Sequence, residues 1–508
     1  MTREQPTERR RAVQRDSALA VLAGPLKFIA PTLAYVFLYP LMLARTGMEV
    51  VGVWSLLGAI VAFIGLADIG FSQILARELG PDMDGVRTGE AYKDYTASVR
   101  AYIALLVLMA ALFMAFQGRI VPLFGGVYPA RALSISILLV LTGAIIQLIG
   151  KLDSAVLSAY NDNYTVQIVA AVAPVFTYVP AVIGAFVSRP IEGLAIGVAL
   201  SGLATVAALR MRLSSSHGRW TAARQSQSMD ETARRLAGLA KRGWYLYGSS
   251  VGLLIRGPVF RFVIAATLGL QATAVFDIAM RLTQTVRDAV ASGFNVLYPS
   301  FSYLHRNKDR EGIIELMRVS LMVLLPLGAA SLGVLVGVAD HVLALWLREY
   351  PPELAGATRV LALWQVITIA NVPFWFLLQA THHEKAAAYS VWAHTASVVL
   401  VLPFQKMFGL GLMDFLIYWT LTSVLTQGLI YFHIQSKLHL LWDVALSPRV
   451  LALLVMVSAF FLWCFLLPFE RGGRQAAAYC AFGALIFSGA SAVTVGKPVY
   501  RFVRSART

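Results

Sequence analysis

Charge is what this sequence has least of. Asp, Glu, Lys and Arg make up 14% of its 508 residues, against about 25% in a soluble protein. A chain so poor in charge cannot cover its own surface with polar groups, so a soluble globular fold is excluded and lipid is its solvent. Cysteine is nearly absent. Only Cys464 and Cys480 occur, both in apolar runs, which excludes a disulfide framework, and no Cys/His spacing suits zinc. There is no Walker A phosphate loop, so this chain is not itself an ATP-driven pump. No loop is long enough to fold as a soluble catalytic domain. His382 and His383 precede Glu384 and Lys385 in a short loop and read as solvated polar residues, not as a ligand cluster.

What is present is apolar length. Hydrophobic residues reach 58% and the mean hydropathy is +0.68. A hydrocarbon core of about 30 Å takes roughly 20 apolar residues in a helix. Runs of that kind span 20–44, 49–78, 92–116, 131–158, 164–187, 191–212, 243–267, 271–303, 313–337, 355–380, 386–404, 410–435, 449–468 and 475–497. The expectation is an all-α polytopic membrane protein of about fourteen transmembrane helices. A β-barrel would show short alternating segments instead.

Orientation follows the Lys/Arg bias of the loops. With the N-terminus inside, inner segments hold 26 Lys and Arg and outer segments hold eight. Both termini are therefore expected on the cytoplasmic side of a bacterial inner membrane. The net charge of +16 is mostly this topology signal. Basic residues flank helices and form no single patch, so the implied partners are anionic phospholipids and not nucleic acid.

The chain divides into a cytoplasmic tail (1–19), an N-lobe of six helices (20–212), a polar segment (213–242) that reads as a flexible linker, a C-lobe of six helices (243–435), a final helix pair (449–497) and a cytoplasmic tail (498–508). An offset of 222 residues aligns Gly47 with Gly269, Val53 with Val275 and Trp54 with Phe276. Six helices per copy is an even number, so the two bundles form a parallel pseudo-symmetric repeat.

The segment TGMEVVGVWSLLGAIVAFIGLADIGFSQILARELG carries Gly47, the step Gly52-Val53-Trp54 and the later Asp68-Ile69-Gly70-Phe71-Ser72. In these features it resembles Wzx-type polysaccharide flippases of the multidrug/oligosaccharidyl-lipid/polysaccharide (MOP) exporter superfamily. LGLQATAVFDIAMRL, with Arg281, is similar to that family's second-repeat turn, although Ala274 stands where the family usually has Gly. The resemblance implies that an undecaprenyl-pyrophosphate-linked oligosaccharide moves from the inner to the outer leaflet by alternating access through a basic central cavity. It implies no catalysis. It is compatible with a monomer working beside other polysaccharide-assembly membrane proteins, such as those of O-antigen and lipopolysaccharide synthesis.

Charges inside the apolar runs mark the candidate site, because each costs about 2.5–3.5 kcal/mol at mid-bilayer unless compensated. Asp277, Arg281, Gln284, Asp288 and Asn295 fall on one stripe of a helix, and so do Gln147, Lys151, Ser154 and Ser158. Arg256, Arg261 and Arg281 are the expected pyrophosphate contacts, since guanidinium binds phosphate bidentately. Lys27 and Lys151 suit capture of the head group. Asp68, Asp153, Asp277 and Asp288 are candidates for coupling to H⁺ or Na⁺, or for charge balance. Gln147, Gln284, Asn295 and Asn371 are expected to line the cavity. Pro25, Pro31, Pro40, Gly257 and Pro258 are expected hinges, because proline breaks the helical ladder. No motif for a cofactor or a metal site is present. Two other classes remain in view: a MATE-like small-molecule antiporter, which prefers an acidic cavity, and a glycan polymerase or ligase, which needs a larger outer loop than 338–354 offers.

Overall fold

The computed structural model describes residues 26–68, 71–79, 88–160, 162–216, 220, 228–291, 294, 297–445 and 447–466. Among them every regular element is helical. In chain order they are α1 (Leu26–Thr46), α2 (Met48–Ile64), a 3₁₀ turn (Gly65–Asp68), α3 (Phe71–Leu79), α4 (Thr88–Ile120), α5 (Ala130–Ala159), α6 (Asn163–Phe186), α7 (Pro190–Ser216), α8 (Met229–Ala291), α9 (Leu297–Arg306), α10 (Arg310–Leu347), α11 (Pro352–Ala370), α12 (Val372–Ala380), α13 (Glu384–Phe408), α14 (Leu412–Leu438), α15 (Leu441–Ala445) and α16 (Pro448–Leu466). A short 3₁₀ turn, Val121–Phe124, follows α4.

Ten helical segments among the described residues are long and apolar enough to cross a membrane. The protein is thus a multi-pass membrane protein. This count covers the described residues only and takes the two arms of α8 as one segment, so it leaves the expectation of about fourteen standing. The runs at 243–267 and 271–303 are the two arms of α8, two helices that meet at a kink where Gly269 leaves helical dihedrals. The run 449–468 is helical as α16, Pro448–Leu466. The span 475–497, the tails 1–19 and 498–508, Cys480, Pro25 and Asn295 lie outside the described residues.

Other boundaries also moved. The described part of the run 49–78 holds α2, the 3₁₀ turn and α3, that of 271–303 holds the end of α8 and α9, and 355–380 is interrupted at Asn371. Residues 229–242, expected as flexible linker, are helical. Their sequence, MDETARRLAGLAKR, has acids in the first turn and is rich in Ala, Leu, Arg and Lys, all strong helix formers. Gly257 and Pro258, expected as a hinge, lie inside α8 with helical dihedrals, and Pro31 and Pro40 lie inside α1.

The chain forms two compact units, Met1–Ala274 and Val275–Thr508. In the first, small residues let helices approach closely, which is how membrane bundles pack. A methyl on Gly197 of α7 would lie 2.1 Å from the Thr177 carbonyl oxygen of α6. In the second, Leu324, Ala329, Leu332, Leu377, Leu453 and Cys464 build one apolar core. Exposed apolar side chains such as Phe37, Val107, Leu425 and Phe432 suit contact with lipid.

The repeat is written into the backbone. Gly47 has φ 84° and ψ 175°, and Gly269 has φ 86° and ψ −178°. This conformation is essentially closed to residues with a Cβ. The same offset of 222 carries the start of α4 to that of α10, the start of α5 to that of α11, the end of α6 to that of α13, and both ends of α7 to those of α14. No net insertion separates the copies over these helices. Val53, Trp54, Val275 and Phe276 are all buried, as the alignment requires.

Candidate functional site

Within the first unit the buried carboxylates are engaged by protein groups. Asp68 closes the 3₁₀ turn. Its Oδ1 accepts from the Ser72 amide at 3.1 Å and its Oδ2 from the Ser72 hydroxyl at 2.6 Å, which ties off the start of α3. The Tyr102 hydroxyl of α4 donates to Oδ1 at 2.8 Å. Asp153 of α5 is fully buried. It accepts from the Tyr95 hydroxyl of α4 at 2.6 Å and from Arg210 Nε of α7 at 3.3 Å, while Arg210 also donates to Tyr95 at 3.2 Å. Three helices meet on that carboxylate.

The expected cations of this unit fall on three elements. Lys151 is exposed on α5, and its Nζ lies 3.8 Å from where a methyl on Gly65 would be. Arg256 and Arg261 are half-buried on the first arm of α8, and the Arg261 Nη1 approaches Gly257. Lys27 belongs to α1. Gln147 does not stand alone in a chamber. Its amide donates to the Val198 carbonyl at 3.4 Å and bridges α5 to α7.

A second cluster lies at the α4 end nearest Thr88. Arg235 of α8 donates to Asp94 at 2.8 Å and also bonds Glu90 and Glu231. Burial works against the guanidinium charge, but these bonds outweigh it and raise the Arg235 pKa. Arg100 reaches Thr232 at 2.7 Å, and Lys93 reaches Glu231 at 3.5 Å. Trp220 is buried edge-on against Tyr92 and Tyr95.

In the second unit the charged stripe is graded. Asp277 is fully buried and accepts from Arg281 Nε at 2.7 Å. Further along the stripe Gln284 is exposed, and Asp288 pairs with its neighbour Arg287. Asn371 sits at the α11–α12 junction. Its amide donates to the Ile367 carbonyl at 2.8 Å and to Gln427, which makes it a joint between α11 and α14. Around that joint runs a buried polar network. Trp364 donates to Ser423 at 3.0 Å, Gln427 donates to Ser423 at 3.0 Å, and His394 meets the Trp419 carbonyl at 3.1 Å. Trp364 and Phe276 both pack on Trp419, which places these deep aromatics in the core.

Arg210, Tyr95, Arg235, Ser423 and Gln427 carry these sites and were not singled out in the sequence. Arg210 and Arg235 were counted only as loop charges. A single helix's periodicity finds partners four residues away but not partners on another helix. The one available hint was a second charge at matching depth: Arg210 stands six residues before the end of α7, and Asp153 six before the end of α5.

No family model and no curated protein matches the sequence. Solved structures do match. An inward closed form of the lipid II flippase MurJ superposes with a TM-score of 0.61 at 12% identity, covering 94% of this chain and 98% of that one. An inward-facing multidrug resistance MATE transporter gives 0.61 at 16%, covering 85% and 96%. A MOP superfamily transporter from Pyrococcus furiosus gives 0.54 at 14%, covering 87% and 96%. At these identities the likeness is one of fold, and this chain shares the fold of these solved structures.

Proposed function

We propose that this protein is a flippase for a polyprenyl-pyrophosphate-linked oligosaccharide, carrying it from the cytoplasmic to the outer leaflet of a bacterial inner membrane by alternating access. The observation that carries this reading is the state of the buried acids. Asp153 and Asp277 are each hydrogen-bonded to an arginine, and Asp68 accepts three hydrogen bonds from Ser72 and Tyr102. A cationic drug would have to break those contacts to find a counter-ion. An anionic pyrophosphate meets no such conflict at Lys27, Lys151, Arg256 and Arg261, four cations placed within apolar helices where charge is costly, while Arg281 would be shared between Asp277 and the cargo. Their assignment to the cargo head belongs to this proposal, as does the O-antigen type of glycan.

The resemblance of the GVW and ADIGFS segments to polysaccharide flippases supports the same cargo, as does the fold shared with a structure described as a lipid II flippase. Replacing Arg256 or Arg261 with Ala should abolish surface display of the glycan in the native host while the protein still inserts at normal abundance. Normal display from both variants would remove these arginines from the mechanism.

A further inference from the structure

The His382-His383 pair, read from sequence as a solvated loop, is met in the structure by a third histidine from a distant helix. His433, five residues before the end of α14, places its Nε2 3.1 Å from the Nδ1 of His383, which precedes α13. The ring centroids are 5.0 Å apart and the planes cross at 64°.

Both rings are held on fixed backbone. The amide of His383 donates to the Leu378 carbonyl at 2.8 Å, and that of Ala386 donates to the His383 carbonyl at 3.1 Å, so the turn out of α12 is tied at both ends. His382 takes a left-handed conformation, φ 61°, to make that turn. His433 lies within regular helix, close to Tyr431, which packs edge-on against Phe374 of α12. Sites on such elements are pre-organised.

Two ring nitrogens aimed at each other have two chemical uses. One is a single N–H···N bond. The other is joint donation of two lone pairs to a metal ion. Zn²⁺ binds imidazole nitrogen at about 2.0–2.1 Å in tetrahedral geometry. Two such ligands stand roughly 3.3 Å apart by that geometry. The observed 3.1 Å is within a few tenths of an ångström of that spacing, and each ring would also turn by about 35° so that its lone pair meets a shared ion off the N···N line. Binding would not require a deprotonation of neutral rings. The donor imidazole would move its proton to the other nitrogen and turn a lone pair to the metal.

We infer that His383 and His433 form a two-histidine site for a borderline divalent transition metal such as Zn²⁺, clipping the start of α13 to the end of α14. Among the described residues no group of three or more His, Cys, Asp or Glu could complete a closed cage. Water fills the remaining positions, so the ion is exchangeable and sits where two helices of the second unit can be fastened together or released. Imidazole nitrogen selects Zn²⁺, Ni²⁺ and Cu²⁺ over the oxygen-seeking Mg²⁺.

The test is calorimetric titration of Zn²⁺ and, separately, Mg²⁺ into tag-free full-length protein in detergent, with thermal unfolding in parallel. Wild type should take up about one Zn²⁺ with an affinity on the order of micromolar, its unfolding midpoint should rise with Zn²⁺, and Mg²⁺ should do neither. His433→Gln keeps a polar group at this position, and both it and His383→Asn should weaken Zn²⁺ uptake about tenfold or more while leaving the metal-free midpoint close to wild type. Absence of stoichiometric Zn²⁺ uptake by wild type up to about 100 µM would overturn the site. So would wild-type affinity in His433→Gln. If a variant fails to fold, the Co²⁺ absorption spectrum of wild type decides alone, with tetrahedral d–d bands supporting the site and an aquo-ion spectrum overturning it.

Discussion

At the scale of single residues, the account turns on how buried carboxylates are neutralised. Asp277 is fully buried, and the Arg281 side chain beside it is 22% exposed. Arg281→Ala takes the guanidinium away from that acid, at a cost of about 3 kcal/mol, and should lower the unfolding midpoint in detergent. The double variant Asp277→Asn/Arg281→Gln should recover most of the midpoint but not glycan display, because the cargo contact is still missing. Recovery of display in that variant would return the pair to a purely structural role. Tyr95→Phe deletes one bond to the Asp153 carboxylate but leaves Arg210, so a loss of about 1.5–3 kcal/mol is expected. The Asp277–Arg281 pair could be read directly from the sequence because i and i+4 share a helix face. The Asp153–Arg210 pair could not, because it joins residues 57 positions apart whose meeting depends on how α5 packs on α7.

At the scale of elements, the two glycine joints make the sharpest comparison. Nothing lies within 4 Å of a methyl placed on Gly47 or on Gly269, so an alanine there is opposed by backbone strain alone. Gly47→Ala and Gly269→Ala should each cost about 1–3 kcal/mol, and by similar amounts, measured as unfolding midpoints. A neutral result at either position would break the equivalence of the two copies. The clasp on α4 yields a different readout. Arg235→Ala removes the contacts to Glu90, Asp94 and Glu231 and should expose residues 229–241 to faster trypsin cleavage. Helix existence was plain from the apolar runs, and the Gly47–Gly269 joint was plain from the offset. The breaks at Gly65–Asp68 and Asn371 were not, because the residues around them stay apolar and the interruptions come from local bonds: Ser72 on Asp68 at one, the Ile367 carbonyl and Gln427 on Asn371 at the other. Pro373, two residues past Asn371, was the one overlooked signal.

At the scale of the whole molecule, two copies share a backbone plan while their chemistry differs. At the offset of 222, Asp277 corresponds to Ser55, Arg281 to Ala59 and Lys151 to Pro373. Pattern and periodicity reveal the shared plan. They are silent on why charge is placed in one copy and not in the other, since that is set by cargo and not by folding. The Lys/Arg bias predicts the sidedness. A cysteine at Arg348 should react with an impermeant reagent in intact cells, and one at Lys385 only after the inner membrane is opened. The reverse pattern would invert the topology and the direction of transport with it. The most direct test of the central claim is a transbilayer assay in proteoliposomes carrying a fluorescent polyprenyl-pyrophosphate-linked oligosaccharide. The account predicts that purified wild type exposes the glycan on the far leaflet and that Arg256→Ala does not. Passage of a cationic dye with no movement of the glycan would contradict it.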